Sequence, residues 1–212
     1  MTAKIIHGDC QQELMKLQPN SIDSCVTDPP YGISFLSKGW DYQVPKKLVW
    51  ATMMGVLKPG AHILAFSSAK TYHRLTCEIE DAGFEVRDQL MWIYGEGFPK
   101  THNLKGDWDG WGTALKPAHE PIVMARKPLD GTVAKNVEKH GTGAINIDGS
   151  RLPMGDEKIN PTLSAKAPTV VPMTTWAKLS ADEYKARQAA AFKKQAELGR
   201  FPANVLHDGS DE

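Results

Sequence analysis

Short apolar runs alternate with helical repeats of apolar residues along the first 130 residues of the chain. The runs predict buried strands, and apolar positions spaced three or four residues apart predict helices that pack on a sheet. The predicted strands are residues 4–7, 24–27, 62–66, 84–94 and 119–125, and the predicted helices are residues 11–17, 45–57 and 71–81. This alternation favours an α/β fold with a parallel sheet. Pro121 predicts that the last strand is an edge strand or that the proline lies early in it, because proline has no N–H to donate.

The second part of the chain, residues 131–212, lacks this regular pattern. It begins with a stretch rich in Gly, Pro, Thr and Asn that has little periodicity, which indicates irregular structure. A C-terminal helix is predicted for about residues 180–198, because a capping box begins at Ser180 and Gly199 follows the last turn. We therefore expect an ordered domain at residues 1–130 and a partly irregular region after it.

The composition is that of an ordinary globular protein, with 41% hydrophobic residues and a formal net charge of zero. Zero net charge gives no overall basic surface of the kind that attracts nucleic acid. No apolar run reaches the roughly 18 residues of a membrane span, and the N-terminus has no apolar signal segment, so a cytoplasmic protein without a membrane partner is expected. The three cysteines, Cys10, Cys25 and Cys77, form no zinc-binding pattern, so no metal is expected.

The four residues Asp28-Pro29-Pro30-Tyr31 follow a predicted strand, at the position where ligands bind in open α/β sheets. A carboxylate such as Asp28 can accept a hydrogen bond from an exocyclic amine of a nucleobase and concentrate electron density on its nitrogen. The carbonyl of Pro29 can accept from the second N–H, because the fixed φ of proline keeps the backbone aimed at one place. Tyr31 can stack on a base that has left the helix. The alternative is a Pro-Pro turn that Asp28 caps.

The stretch Thr27-Asp28-Pro29-Pro30-Tyr31-Gly32 resembles the catalytic motif of the amino DNA methyltransferases, which methylate adenine N6 or cytosine N4 with S-adenosylmethionine. Further similar segments, some of them typical of prophage-type members, are Ile5–Cys10, Leu57–Ala61, Gly97–Lys100 and Lys116–Val123. The resemblance implies a partial doubly wound, Rossmann-like methyltransferase sheet. It also implies a catalytic subdomain at residues 1–130 and an irregular, target-recognition-like region with the C-terminal helix at residues 131–212.

The resemblance also implies roles for single residues. Asp28, Pro29, Pro30 and Tyr31 would be catalytic, Asp9 and Asp28 would contact S-adenosylmethionine, and Tyr31, Phe35 and Lys100 would contact double-stranded DNA with a flipped base. An aspartate at the start of the motif favours adenine over cytosine in this family. For two of these residues, a purely structural role stays open as an alternative. Asp9 equally fits the N-cap of the next helix, and Lys100 fits an exposed loop.

The family carries a cofactor-binding turn of the form Phe-x-Gly-x-Gly, which is not found in this sequence. The nearest glycine pairs, Gly95-Glu96-Gly97 and Gly141-Thr142-Gly143, are interpreted as loop geometry. We therefore expect a truncated enzyme whose glycine-rich segment is missing or comes from a partner chain, and an isolated chain that binds the cofactor weakly and methylates no DNA. The alternatives are an inactive remnant that binds DNA or a partner chain, a cytosine-N4 methyltransferase, and a protein-glutamine methyltransferase.

Two further residue pairs have no settled role. Trp108 and Trp111 lie in a glycine-rich loop, where they could stack on unpaired bases or anchor the loop. His119 and Glu120 belong to a segment that is similar to the family, but the sequence gives them no chemical role.

Overall fold

The computed structural model of the chain describes residues 3–95, 97, 101–153, 182, 186, 189, 190 and 197–207. The chain forms two compact units, which are Met1–Ala144 with Asn204–Glu212, and Ile145–Ala203. The domain boundary expected after residue 130 therefore falls inside the first unit. In the part of the chain that is described, no helix is long and apolar enough to cross a membrane.

The first unit contains all of the helices and strands considered below. The helices are Cys10–Leu14 (α1), Lys47–Val56 (α2), Tyr72–Asp81 (α3) and Val133–His140 (α4). The strands are Ile22–Thr27 (β1), Leu57–Phe66 (β2), Glu85–Ile93 (β3), His119–Arg126 (β4) and Val205–His207 (β5).

The five strands form one sheet in the order β1-β2-β4-β3-β5. Strand β1 is parallel to β2, and β3 is parallel to β5, whereas β4 is antiparallel to both β2 and β3. The α/β fold class is thus confirmed, and the expectation of a wholly parallel sheet is corrected: β4 alone runs against the other strands. The apolar pattern did not reveal this, because a strand buried between two neighbours has the same pattern in either direction.

Pro121 lies in the central strand β4, so the prediction of an edge strand is wrong, whereas the early position is confirmed. The ladder between β2 and β4 ends at the pair Phe66 and Ile122, one residue after the proline. Beyond that pair, the carbonyl of Pro121 accepts a hydrogen bond from the N–H of Ser67 at 3.0 Å. A central strand tolerates this proline because the contact with β2 uses its carbonyl and not the missing N–H.

The central strands β2 and β4 bury their side chains on the face that packs against α2 and α3. Its core residues are Ile63, Ala65, Val123 and Ala125 from the sheet, Trp50 from α2, and Leu75 and Ile79 from α3. The alternate positions of β2, which are His62, Leu64 and Phe66, are only half-buried. The second face of the sheet therefore leaves room beside Phe66 for a functional site.

Several sequence predictions differ from the structure. Residues 4–7 are not in a strand, and Ile5 is 94% exposed, so this apolar segment does not join the sheet. Helix α4 and strand β5 were not predicted. Most of the C-terminal helix predicted for residues 180–198 lies outside the described residues, although Ala189 and Ala190 within it are helical.

Helix α4 forms in a region where irregular structure was expected, because capping groups define both of its ends. The Thr132 side chain accepts from the N–H of Lys135, and Gly141 ends the helix with φ of 73°. Asn136 is completely buried and makes three polar contacts. Its amide donates to the carbonyls of Pro59 (2.9 Å) and Thr142 (2.8 Å) and accepts from the N–H of Asp130 (2.8 Å). A short polar helix is thus fixed to the start of β2 by one side chain.

We predict that Asn136→Ala lowers the free energy of unfolding by at least about 2 kcal/mol, because buried backbone groups lose their partners. Unfolding in urea, followed by the circular dichroism of the helices and strands, measures this loss. The control is Lys135→Ala, whose exposed side chain is on the same helix and should leave stability nearly unchanged. Equal stability of Asn136→Ala and the wild type would show that α4 is not fixed by this side chain.

Candidate active site

An open cavity of about 220 Å³ lies at one edge of the sheet and is lined by Asp28, Phe66, Trp92 and Glu120. Each of the four residues lies in or directly after a different strand. Asp28 follows β1, Phe66 ends β2, Trp92 is the penultimate residue of β3, and Glu120 is the second residue of β4. Because β4 is antiparallel, its first residues meet the carboxyl ends of its neighbours, and this is the edge at which open α/β sheets bind ligands.

Two aromatic side chains form the wall of the cavity. The ring centroids of Phe66 and Trp92 are 6.4 Å apart with an angle of 57° between the rings, an arrangement typical of attractive aromatic pairs. Trp92 is directly opposite Glu120 in the ladder between β3 and β4. The cavity thus combines flat apolar surface with the carboxylates of Asp28 and Glu120. Such a lining suits a planar group that carries N–H donors, or a cation beside an aromatic face.

The phenol of Tyr31 joins the two carboxylates of the cavity. Its hydroxyl donates to Oε2 of Glu120 at 3.2 Å. Burial, together with the hydrogen bond to Asp28 and the negative charges of Glu120 and Asp28, raises the pKa of Tyr31 well above its usual value. The phenol is therefore neutral at physiological pH, and its hydroxyl is held by Glu120.

The sequence-predicted residues around the motif are only partly brought together. Pro29 and Pro30 are half-buried and connect β1 to the loop, as their position in the motif requires. Phe35 lies in a short 3-10 helix and is 47% exposed, outside the lining of the cavity. Asp9 is the N-cap of α1, with a 3.0 Å hydrogen bond from the N–H of Gln12, so the capping alternative is observed. Lys100 lies outside the described residues.

The glycine pairs have structural explanations in the described part of the chain. A Cβ on Gly143 would meet Leu129 at 2.9 Å and Asn136 at 3.0 Å, so this glycine belongs to the packing around α4. Gly97 lies so close to the carbonyl of Pro117 that no Cβ fits there. Neither glycine is therefore a free turn of the kind that approaches a cofactor.

Two aromatic residues in a loop form a pair of their own. The rings of Trp108 and Trp111 are 5.3 Å apart and perpendicular, and both side chains are more than half exposed. They do not line the cavity, and stacking on unpaired bases stays a prediction. Across the described residues, no group of three or more His, Cys, Asp or Glu side chains could hold a metal ion.

Glu120 is the residue of this site whose role sequence reasoning missed. The available signal was its place at the start of a strand in a family-like segment, but the partner of that strand was not known. The structure shows that the antiparallel pairing with β3 places the start of β4 at the active-site edge. There Glu120 accepts a hydrogen bond from Tyr31, which follows β1 in the chain.

The sequence is similar to known DNA methylases. The profile of a family described as DNA methylase, of the N6 and N4 type, matches residues 22–200. The type II methyltransferase M.HindIII of Haemophilus influenzae is 27% identical over 198 residues, which are 67% of this chain and 64% of that protein. YubD of Escherichia coli K12, whose name assigns it as a methylase, is 28% identical over 115 residues, covering 51% of this chain and 48% of YubD.

One solved structure with a similar arrangement is TTHA0409 of Thermus thermophilus, described as a DNA modification methylase. The two sequences are 20% identical, and the match covers 69% of this chain and 58% of the TTHA0409 chain with a TM-score of 0.41. The chain spans between about half and two thirds of the length of the relatives that it matches.

We predict that Glu120→Gln lowers the pKa of Tyr31, because it removes one of the negative charges beside the phenol. The pKa should stay above the usual value of tyrosine, because burial is the largest cause of the shift. Titration of ¹³Cζ-labelled tyrosine by NMR, with Tyr31→Phe to assign the resonance, measures both statements. Glu138→Gln, an exposed substitution on α4, is the matched control and should change nothing. An unchanged pKa in Glu120→Gln would show that the two side chains are not coupled.

Proposed function

This chain belongs to the N6/N4 DNA methylase family, and we propose that, together with a glycine-rich cofactor segment supplied in addition, it methylates the N6 amine of adenine in DNA with S-adenosylmethionine as donor. One observation carries the proposal. The acid of the Asp28-Pro29-Pro30-Tyr31 motif lines an open cavity with aromatic walls, and the tyrosine of the same motif is fixed beside it.

The chemical difficulty is the weak nucleophilicity of an aromatic amine, whose lone pair is delocalised into the ring. The Asp28 carboxylate accepts a hydrogen bond from the amine and polarises it toward the methyl group. The Pro29 carbonyl accepts from the second N–H, so both hydrogens of the amine have a partner. As the new N–C bond forms, the nitrogen becomes positively charged, and the carboxylate stabilises that charge and takes the proton. A fixed negative group in an apolar site is an effective device for such stabilisation.

The residues of the cavity also fit the reactive end of the cofactor. S-adenosylmethionine supplies an electrophilic methyl group on a positively charged sulfur, and the sulfur leaves as a neutral thioether. Two carboxylates and the rings of Phe66 and Trp92 form a lining that is favourable for a cation. We propose that Asp28 contacts the cofactor from this side, and that Asp9 contributes to the pocket of its adenosyl group.

The DNA is proposed to present its target base outside the double helix, because the amine of a paired base cannot reach a cavity in the protein. Tyr31 stacks on the flipped base, and its link to Glu120 fixes the plane of the ring. Phe35 and Lys100 are proposed to contact the nucleic acid around that base. We favour adenine over cytosine because the first residue of the motif is an aspartate. Among proteins with this motif, an aspartate at that position is associated with adenine.

We predict that Asp28→Ala in the complete gene product loses at least about 2–3 kcal/mol of transition-state stabilisation, which is a loss in rate of about thirtyfold or more. Transfer of tritiated methyl groups from S-adenosylmethionine to genomic DNA measures the rate. Cofactor affinity, measured by calorimetry, should change much less. The matched control is Asp23→Ala, an acid in the preceding strand β1 whose side chain is 71% exposed and pairs with Lys58. Wild-type transfer by Asp28→Ala would contradict the assigned role.

We predict that Tyr31→Phe is mild and Tyr31→Ala is severe in the same transfer assay. The phenylalanine keeps the ring that stacks on the base and loses only the hydrogen bonding of the hydroxyl with Glu120 and Asp28, whereas alanine loses stacking worth about 1–3 kcal/mol. Equal loss of activity in both variants would show that the hydroxyl matters more than the ring.

A further inference from the structure

The loop after the catalytic motif encloses a carboxylate that no sequence pattern singled out. Asp41 is only 2% exposed, although it carries a charge. Its Oδ1 accepts from the N–H of Gly32 at 2.8 Å, and its Oδ2 accepts from the N–H groups of Phe35 at 2.8 Å and Ile33 at 3.3 Å. A buried carboxylate that accepts several backbone N–H bonds is well compensated for its loss of water.

These hydrogen bonds stabilise a loop backbone whose conformation is unfavourable by itself. Gly32, Ser34 and Ser37 have φ of 69°, 57° and 56°, all in the left-handed region. For the two serines this conformation costs about 1–2 kcal/mol each, so other contacts must hold it. The N–H of Ser34 donates to the backbone carbonyl of Asp41 at 2.9 Å. This bond joins the two ends of the loop in addition to the bonds of the Asp41 side chain.

The position of these contacts along the chain gives them a functional consequence. The N–H of Gly32, directly after Tyr31, is among the bound groups, so the carboxylate fixes the backbone from which the tyrosine projects. Glu120 holds the other end of the same side chain at the hydroxyl. Asp41 itself does not line the cavity, so any effect on the reaction passes through the tyrosine.

The ionisation state supports this role. Burial acts to raise the pKa of Asp41, but the hydrogen bonds from the backbone N–H groups of Phe35, Gly32, Ile33 and Tyr31 outweigh it and lower the pKa below its usual value. The carboxylate is therefore charged at neutral pH, and both of its oxygens are acceptors.

We propose that Asp41 is a positioning residue that sets the place of Tyr31 beside the base cavity by binding the backbone of residues 32–35. The proposal rests on the proposed function of the site. It predicts that loss of the carboxylate impairs the use of DNA and leaves cofactor binding nearly intact.

The test compares Asp41→Asn with Asp109→Asn, a control in an exposed loop, in the complete gene product. An asparagine has only one side-chain oxygen and turns an NH₂ group toward N–H donors. The hydrogen bonds to one of the two oxygens of Asp41 are therefore lost. We expect Asp41→Asn to raise the KM for DNA or lower kcat/KM for DNA about tenfold or more, on the scale of one hydrogen bond to a charged group. The dissociation constant for S-adenosylmethionine should change little.

The decisive comparison repeats Asp41→Asn in a Tyr31→Ala background. If Asp41 acts through the tyrosine, the substitution adds at most a small further loss there. An equal loss in both backgrounds would overturn the proposal, because it would show a structural effect that does not need Tyr31.

A second variant keeps the test informative if Asp41→Asn does not fold. Gly32→Ala disturbs the same loop from the other side, because its Cβ would lie 2.9 Å from the N–H nitrogen of Val44 and its φ is left-handed. We expect the same selective loss for DNA, and normal kinetics of Gly32→Ala would contradict the proposal.

A spectroscopic readout separates this proposal from the proposed function. The ¹³Cζ resonance of Tyr31 should shift in Asp41→Asn and not in Asp109→Asn, whether or not the wild type methylates DNA. Absence of methyl transfer by the wild type would refute the proposed function alone. An unshifted Tyr31 resonance would refute the positioning role alone.

Discussion

The antiparallel placement of β4 between β2 and β3 determines which side chains meet at the active-site edge. Four strands run in one direction and end at this edge, and β4 begins there. Glu120 therefore reaches the same cavity as Asp28, although the two are far apart in sequence. The register is strongly fixed, because a slip of one residue would turn Glu120 toward the face that packs on α2 and α3 and would bury its charge.

This arrangement divides the work of the site between rigid strands and a constrained loop. The strands place the carboxylates of Asp28 and Glu120 and the two aromatic rings. The loop carries Tyr31, which is held at its hydroxyl by Glu120 and through its backbone by Asp41. Under the proposed function, a nucleobase that enters the cavity meets groups that need little rearrangement. Prior positioning of this kind is a major source of catalysis in transfers without a covalent enzyme intermediate.

The sequence predicted the parts of this structure that depend on local pattern. Strands β1 to β4 and helices α2 and α3 follow from their apolar periodicity, and the motif at Asp28 was expected at a strand end, where it is found. The direction of β4 could not be predicted, since burial on both sides leaves no directional signal in its residues. Helix α4 was missed because its stability comes from the caps and from buried Asn136, which are polar contacts outside the apolar pattern. Asp41 was missed because a carboxylate that binds backbone N–H groups has no fixed spacing to its partners.

We propose that the cavity at Asp28 directs a methyl group to the N6 amine of adenine in DNA. The most direct measurement is mass spectrometry of the nucleosides obtained by digesting DNA that was incubated with the complete gene product and S-adenosylmethionine. We expect N6-methyladenine to accumulate with the wild type and to be strongly reduced with Asp28→Asn, which keeps the shape of the side chain and removes its charge. N4-methylcytosine as the product would contradict the assignment of the base, and equal amounts of N6-methyladenine from both proteins would contradict the role of the carboxylate.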